Sequence, residues 1–195
     1  MKRPLPNLLR DGLACLALAW AFLPGAAAAQ WRDRQGAPLP DSPARAHDKD
    51  FAAAVQIADD AEFARFAREW AQTAAGHAPQ LRTATQVRRG QAVRVAILYS
   101  GCAPSPNNGG ACDAQIRLRL LAPDGSETLQ EPMRPLGTGA APAAAGLLEL
   151  APLSVQLRFD DSDALGLYRV QATVNDPSQD AWVRLQTEIA LVADE

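Results

Sequence analysis

Residues 163–176 read DALGLYRVQATVND, and this stretch decides the fold. Tyr168, Val170, Ala172 and Val174 alternate with Arg169, Gln171 and Thr173. A two-residue period puts the two sets on opposite faces of a strand, one apolar and one polar. Gly166 and the acidic residues before it mark the turn that opens the strand.

The same period recurs on both sides. Val93, Val95, Ile97 and Tyr99 alternate cleanly, as do Ile116, Leu118 and Leu120 ahead of the turn Pro123, Asp124, Gly125. Leu153, Val155, Leu157 and Phe159 form another set, Val183, Leu185, Ile189 and Leu191 a last one, and Leu81–Val87 a weaker one. The Pro-, Gly- and Ala-rich stretch 132–146 reads as a long loop. Strands this short, each with one apolar face, must cover one another, so the expected fold is mainly β, an antiparallel two-sheet sandwich over residues 79–195. No internal repeat and no strand–helix alternation points to a parallel sheet.

Ahead of it, residues 51–78 read as a strand and a helix. Phe51, Ala53, Val55 and Ile57 alternate. Phe63, Phe66, Ala67, Trp70 and Ala71 then follow the helical spacing behind Asp59 as N-cap, with Glu62 three residues on, and Gly76 and Pro79 close the element. One amphipathic helix needs burial against the body of the protein, so its aromatic stripe is expected to pack. Residues 30–50, with Pro38, Pro40 and Pro43 among mixed charges, read as a flexible leader.

Residues 1–29 have the form of a cleavable secretory signal: Lys2, Arg3 and Arg10, then an apolar run from Leu13 to Leu23, then Ala26–Ala29. The run is too short to span a bilayer, for which about 20 residues are needed, and no later segment approaches that. Cys15 lies inside the run and has Gly12 three residues before it, which does not fit a lipidation site. Removing this segment turns 19 basic and 22 acidic residues into 16 and 21, a net charge of about −5. That balance gives no electrostatic reason to expect nucleic acid as a partner. Only two of the basic residues are lysines and alanine is abundant, the habit of a GC-rich bacterial genome, so the expected destination is the periplasm.

Cys102 and Cys112 remain, and an even number in an oxidising compartment predicts a disulfide. The nine residues between them are mostly turn formers, which predicts a loose loop between two strand ends. Closing so small a ring is worth roughly 3 kcal/mol.

Residues 163–176, with their Gly-x-Tyr-x-Val core, resemble the penultimate strand of immunoglobulin-like and macroglobulin-like domains of bacterial extracytoplasmic proteins. Val87–Val95 (VRRGQAVRV) and Leu120–Gly125 (LLAPDG) are similar to earlier strands and turns of such domains. The resemblance spans about residues 81–192, and the strand and helix in front are similar to small bacterial periplasmic proteins of this type. It implies an immunoglobulin-like sandwich and carries over no active residue. The chain departs from the antibody pattern in that both cysteines border one loop and no tryptophan lies between them.

Catalytic chemistry finds few parts. His47 lies in the leader and His77 in a loop, and Ser100 lacks the glycines of a nucleophile elbow. The cysteines and histidines do not have zinc spacing. Asp160, Asp161 and Asp163, with Asn175 and Asp176 further on, offer oxygen ligands for calcium, but without the spacing of a calcium loop they are expected to fix a turn. No cofactor or metal is expected. By the two-residue period Arg94, Arg117, Arg119, Arg158, Arg169 and Arg184 point outward. An immunoglobulin strand order gathers Arg117, Arg119, Arg169 and Arg184 on one sheet with Trp182, Gln115, Gln171 and Gln186. Such a face suits carboxylates, phosphates or sugars, whereas cross-strand acids such as Glu188 would merely neutralise it. The expected role is a non-enzymatic binding or accessory module of the cell envelope, its partner an envelope protein or an anionic ligand. The alternatives are a hydrolase or metal-dependent enzyme with a loop-built site, or a structural subunit of an envelope assembly.

Overall fold

The computed structural model describes residues 31, 39–73, 79–137, 139–144 and 146–193. The expected signal segment and His77 lie outside the described residues. Eleven strands and one helix follow in the order β1 (Arg45–Asp48), β2 (Phe51–Asp59), α1 (Asp60–Gln72), β3 (Gln86–Arg88), β4 (Ala92–Ser100), β5 (Gln115–Leu121), β6 (Glu127–Gln130), β7 (Arg134–Pro135), β8 (Glu149–Leu150), β9 (Val155–Arg158), β10 (Gly166–Asp176) and β11 (Ala181–Val192).

They form two sheets. The first has the order β1-β2-β4-β8, with β9 also on β4, and the second the order β3-β11-β10-β5-β6, with β7 also on β5. All pairings are antiparallel except β3 with β11. The protein is therefore mainly β with mixed pairing in its second sheet. The inner faces share one core: Phe51, Val55, Ile57, Val93, Val95, Ile97 and Tyr99 from the first sheet meet Ile116, Leu118, Tyr168, Val170, Val174, Val183, Leu185 and Ile189 from the second. These are the alternating positions that the two-residue period selects.

β2 is buried on both faces, which alternation alone does not require. Its outward residues Ala52, Ala54 and Ala58 are small, and that leaves room for α1 to lie across the sheet, where Phe66 packs on Ala54 and Leu98 with Trp31, Trp70, Leu81 and Leu150 around it. The aromatic stripe is thus used in packing, although Ala71 at its end stays exposed. Asp59 sits at the N-cap position but its side chain makes no cap bond. Its Oδ1 instead accepts from Gln91 Nε2, while Glu62 accepts from Arg65 and from the Arg82 backbone N–H.

Three expectations about the segments between the main strands change. Arg45–Asp48, inside the expected leader, is a strand paired with β2 from Arg45↔Ala54 to Asp48↔Phe51. The expected strand over residues 81–87 is reduced to β3, because the backbone ahead of it is held elsewhere: Gln80 O accepts from Arg65 of α1, Arg82 N–H donates to Glu62 of α1, and Ala84 N–H donates to Ile57 O of the first sheet. The stretch 132–146 contains β7 and is pinned by Leu136, which is fully buried.

Cys102 and Cys112 form a disulfide with their Cα atoms 5.8 Å apart. β4 and β5 belong to different sheets, so the bridge closes the crossover from one sheet to the other. The enclosed loop is not loose. A 3-10 turn at Pro106–Asn108 is held by Ser105, which donates to Ala111 O and accepts from Gly110 N–H. Asp176 at the end of β10, fully buried, accepts from the Ala103 and Ser178 N–H groups and from Gln179 Nε2. This carboxylate ties the disulfide loop to the β10–β11 turn.

Candidate binding face

The outer face of the second sheet is a grid set by register. β10 pairs with β5 through Gln171↔Arg119, Thr173↔Arg117 and Asn175↔Gln115, and with β11 through Gln171↔Gln186, Thr173↔Arg184 and Asn175↔Trp182. Nine side chains in three rows therefore stand on one face, and every one is polar or aromatic. No carboxylate is among them. Asn175 is buried and donates to Ala181 O, whereas the others are exposed or half-buried, Trp182 by 52%. Across the next row Arg169 faces Glu188.

The four arginines expected on this face are on it, with Trp182, but they are not equivalent. Arg119 is neutralised by Glu127 of β6, and Arg169 Nε lies 3.4 Å from Glu188 Oε1. Arg117 and Arg184 have no ion-pair partner among the described residues, and they flank Thr173 across three strands. Gln171 Nε2 donates to Gln186 Oε1 over 3.3 Å, so the amides of the neighbouring row steady one another. The centre of the face dips into an open depression of about 420 Å³ lined by Pro43, Arg119, Gln171, Thr173, Arg184 and Gln186.

Pro43 escapes sequence reasoning. Pro43 forms the rim because its carbonyl accepts from Gln186 N–H at 2.6 Å, and Asp48 Oδ2 accepts from Trp182 N–H at 2.9 Å. The segment leading into and through β1 thus occupies the edge of β11 beside the grid. A proline-rich stretch with charges shows nothing of this in sequence.

The remaining candidates lie elsewhere. Arg94 is on the first sheet, where it donates to Asp60 Oδ1 and lies over the Phe63 ring, and Arg158 is on β9. Asp160 and Asp163 build a turn: Asp160 Oδ1 accepts from the Ser162 N–H and hydroxyl, Asp163 Oδ2 from Asp160 N–H, and Arg89 donates to both backbone carbonyls. The Ser162 hydroxyl holds the Asp160 carboxyl below its ordinary range. Asn175 and Asp176 are committed at the far end of β10. His47 Nδ1 lies 2.8 Å from Asp41 Oδ1, an exposed pair, and Ser100 is buried at the end of β4. A second concavity of about 310 Å³ under α1 is walled by Trp31, Trp70, Arg45 and Gln56. Arg45 Nε and Gln56 Oε1 there are buried and have no hydrogen-bond partner among the described residues. In the register of β1 and β2, where Arg45 faces Ala54, these two residues are diagonal neighbours. No described helix is long and apolar enough to cross a membrane.

No protein-family model and no curated protein matches the chain. Among solved structures it is similar to an alkylpurine DNA glycosylase of Pseudomonas fluorescens (16% identity, TM-score 0.36, 56% of this chain and 28% of that one). It is also similar to a Niemann-Pick type C2 protein of the Japanese carpenter ant (5%, 0.35, 55% and 79%) and to a family 123 glycoside hydrolase of Clostridium perfringens (7%, 0.40, 73% and 27%). The chain spans about a quarter of the glycosylase and of the glycoside hydrolase. Similarities of this degree assign neither a family nor an activity.

Proposed function

We propose that this chain is an exported, non-enzymatic binding or accessory module of the cell envelope, built on an immunoglobulin-like sandwich, whose partner seats on the grid of β5, β10 and β11. The signal-like segment 1–29 and the disulfide support export. Three features support the immunoglobulin-like assignment. β11, β10, β5 and β6 lie side by side in the order of the G, F, C and C′ strands, β3 runs parallel to β11, and Tyr168 Oη donates to Ala164 O four residues upstream, as a tyrosine corner does.

One observation carries the binding role: among the described residues Arg117 and Arg184 have no ion-pair partner, they stand on either side of Thr173 in a grid of nine side chains without a carboxylate, and the cross-strand carboxylates beside the grid, Glu127 and Glu188, are taken by Arg119 and Arg169. A cross-strand acid opposite an exposed guanidinium stabilises the pair, as at Arg119 and Arg169 here. Two left open on either side of β10 leave a local positive field for an anion. The test is capture from an envelope extract by the parent, by the pair Arg117→Glu with Arg184→Glu, and by Arg158→Glu on the other sheet. The grid pair is expected to lose the captured component and Arg158→Glu to keep it, with all three melting alike. Equal capture by all three removes the binding role of this face.

A further inference from the structure

We propose that the ligand of this face is an acidic polysaccharide, a chain of sugar units bearing carboxylates, laid across β5, β10 and β11 with a sugar ring on Trp182. The inference rests on the binding role assigned to the face above and names its chemistry. Four features of the grid select this ligand over other anions. Arg117 and Arg184 stand two strand spacings apart, about 10 Å between their Cα atoms, which separates two anionic groups along an extended chain. Gln115, Gln171, Gln186 and Thr173 between and beside them both donate and accept hydrogen bonds, as sugar hydroxyls do. Trp182, the most exposed large apolar side chain described, adjoins Arg184 on the same face and presents an indole for the C–H face of a sugar ring. Finally, an extended peptide would be gripped through its backbone at a free strand edge, and the edge of β11 beside the grid already gives its Gln186 and Trp182 N–H groups to Pro43 O and Asp48 Oδ2. What remains open to a ligand is a field of side chains around the central depression.

The depression over Gln171, Thr173 and Gln186 leaves room for the carboxylate of one unit beside Arg184, and a unit further along the chain reaches Arg117 outside the depression. Arg119 and Arg169, held by Glu127 and Glu188, frame the site without supplying net charge.

The experiment is titration calorimetry of the purified exported chain at low salt with three probes: polygalacturonate, a carboxylated glycan; dextran, a neutral glycan; and polyglutamate, a carboxylated polypeptide. Polygalacturonate is expected to bind, at least about tenfold more tightly than either other probe. Arg117→Gln with Arg184→Gln, and separately Trp182→Ala, are expected to weaken that binding by about tenfold or more while the melting temperature stays in place. Binding is expected to fall as salt rises, because both guanidiniums are exposed. Polyglutamate bound as tightly as polygalacturonate, or an unchanged Trp182→Ala, overturns the glycan and leaves a face that reads charge alone. Absence of polygalacturonate binding overturns the glycan as well. If capture from the envelope extract still depends on Arg117 and Arg184, the binding role survives that failure, and if it does not, both fall.

Discussion

Replacing Asp176 by alanine removes a buried anion that serves three donors at once. Its Oδ2 accepts from Ala103 N–H at 2.7 Å and Gln179 Nε2 at 2.6 Å, and its Oδ1 from Ser178 N–H at 3.0 Å. Hydrogen bonds to a charged group are each worth roughly 1.5–3 kcal/mol net. Part of that sum is offset, because the variant no longer holds a carboxylate away from water and because the half-buried Ser178 and Gln179 regain solvent. A loss of about 3 kcal/mol is expected, which in a chain of this size lowers the melting temperature by roughly 6–12 °C. Asp176→Asn keeps one oxygen, which satisfies the two donors at the Oδ2 position and leaves Ser178 N–H facing an amide, so about half that loss is expected. The disulfide and Asp176 hold the same loop, one through Cys102 and the other through Ala103. Cys102→Ser with Cys112→Ser should cost about 3 kcal/mol alone, and less when Asp176 is already alanine. Thermal melts of the four proteins, followed by circular dichroism, give the cycle. An Asp176→Ala melt within 2 °C of the parent, or losses that simply add, refutes the idea that this carboxylate organises the loop.

Two further outcomes follow from the geometry. The Arg65 guanidinium and the Arg82 N–H hold Glu62 at about 2, down from 4.5, so its contribution to stability is complete above about pH 4.5 and is lost as pH falls toward 2. The melting-temperature gap between the parent and Glu62→Gln should therefore shrink across that window, and a gap that stays constant from pH 6 to 2 contradicts the assignment. Gly166 has φ +138°, and a Cβ there would sit 3.0 Å from two carbons of the Pro123 ring, so Gly166→Ala is expected to cost about 2 kcal/mol, a fall of roughly 4–8 °C in the same melt. An unchanged melt would show that the turn relaxes around the methyl group.

The strands and the face were legible for one reason: period two is a property of the backbone and shows wherever one face is apolar. Tyr168, Val170, Ala172 and Val174 announced their own burial, and Arg169 its exposure. Arg117, Arg119, Arg169 and Arg184 could be placed together because strand parity and strand order suffice for that. Glu188 was readable as a cross-strand acid, but that it meets Arg169 and that Glu127 meets Arg119, which leaves Arg117 and Arg184, depends on register and was not legible. β1 was missed because Arg45, Ala46, His47 and Asp48 carry no apolar alternation of their own, and the strand exists through pairing with β2. The second buried face of β2 was hidden in its alanines, which look neutral until α1 lies on them. Leu136 was lost among prolines and glycines, a single anchor in a stretch whose composition says loop.

The segment from Pro43 through Asp48 does more than form a rim. It pairs along β2 on one side and takes N–H groups of β11 on the other, so one short piece of chain closes an exposed margin of each sheet. Open margins of this kind are where folded β proteins recruit copies of themselves into aggregates. Loss of this segment, by proteolysis or truncation before Phe51, would uncover two such margins at once. Its removal is therefore expected to raise the tendency of the chain to pair with its own copies.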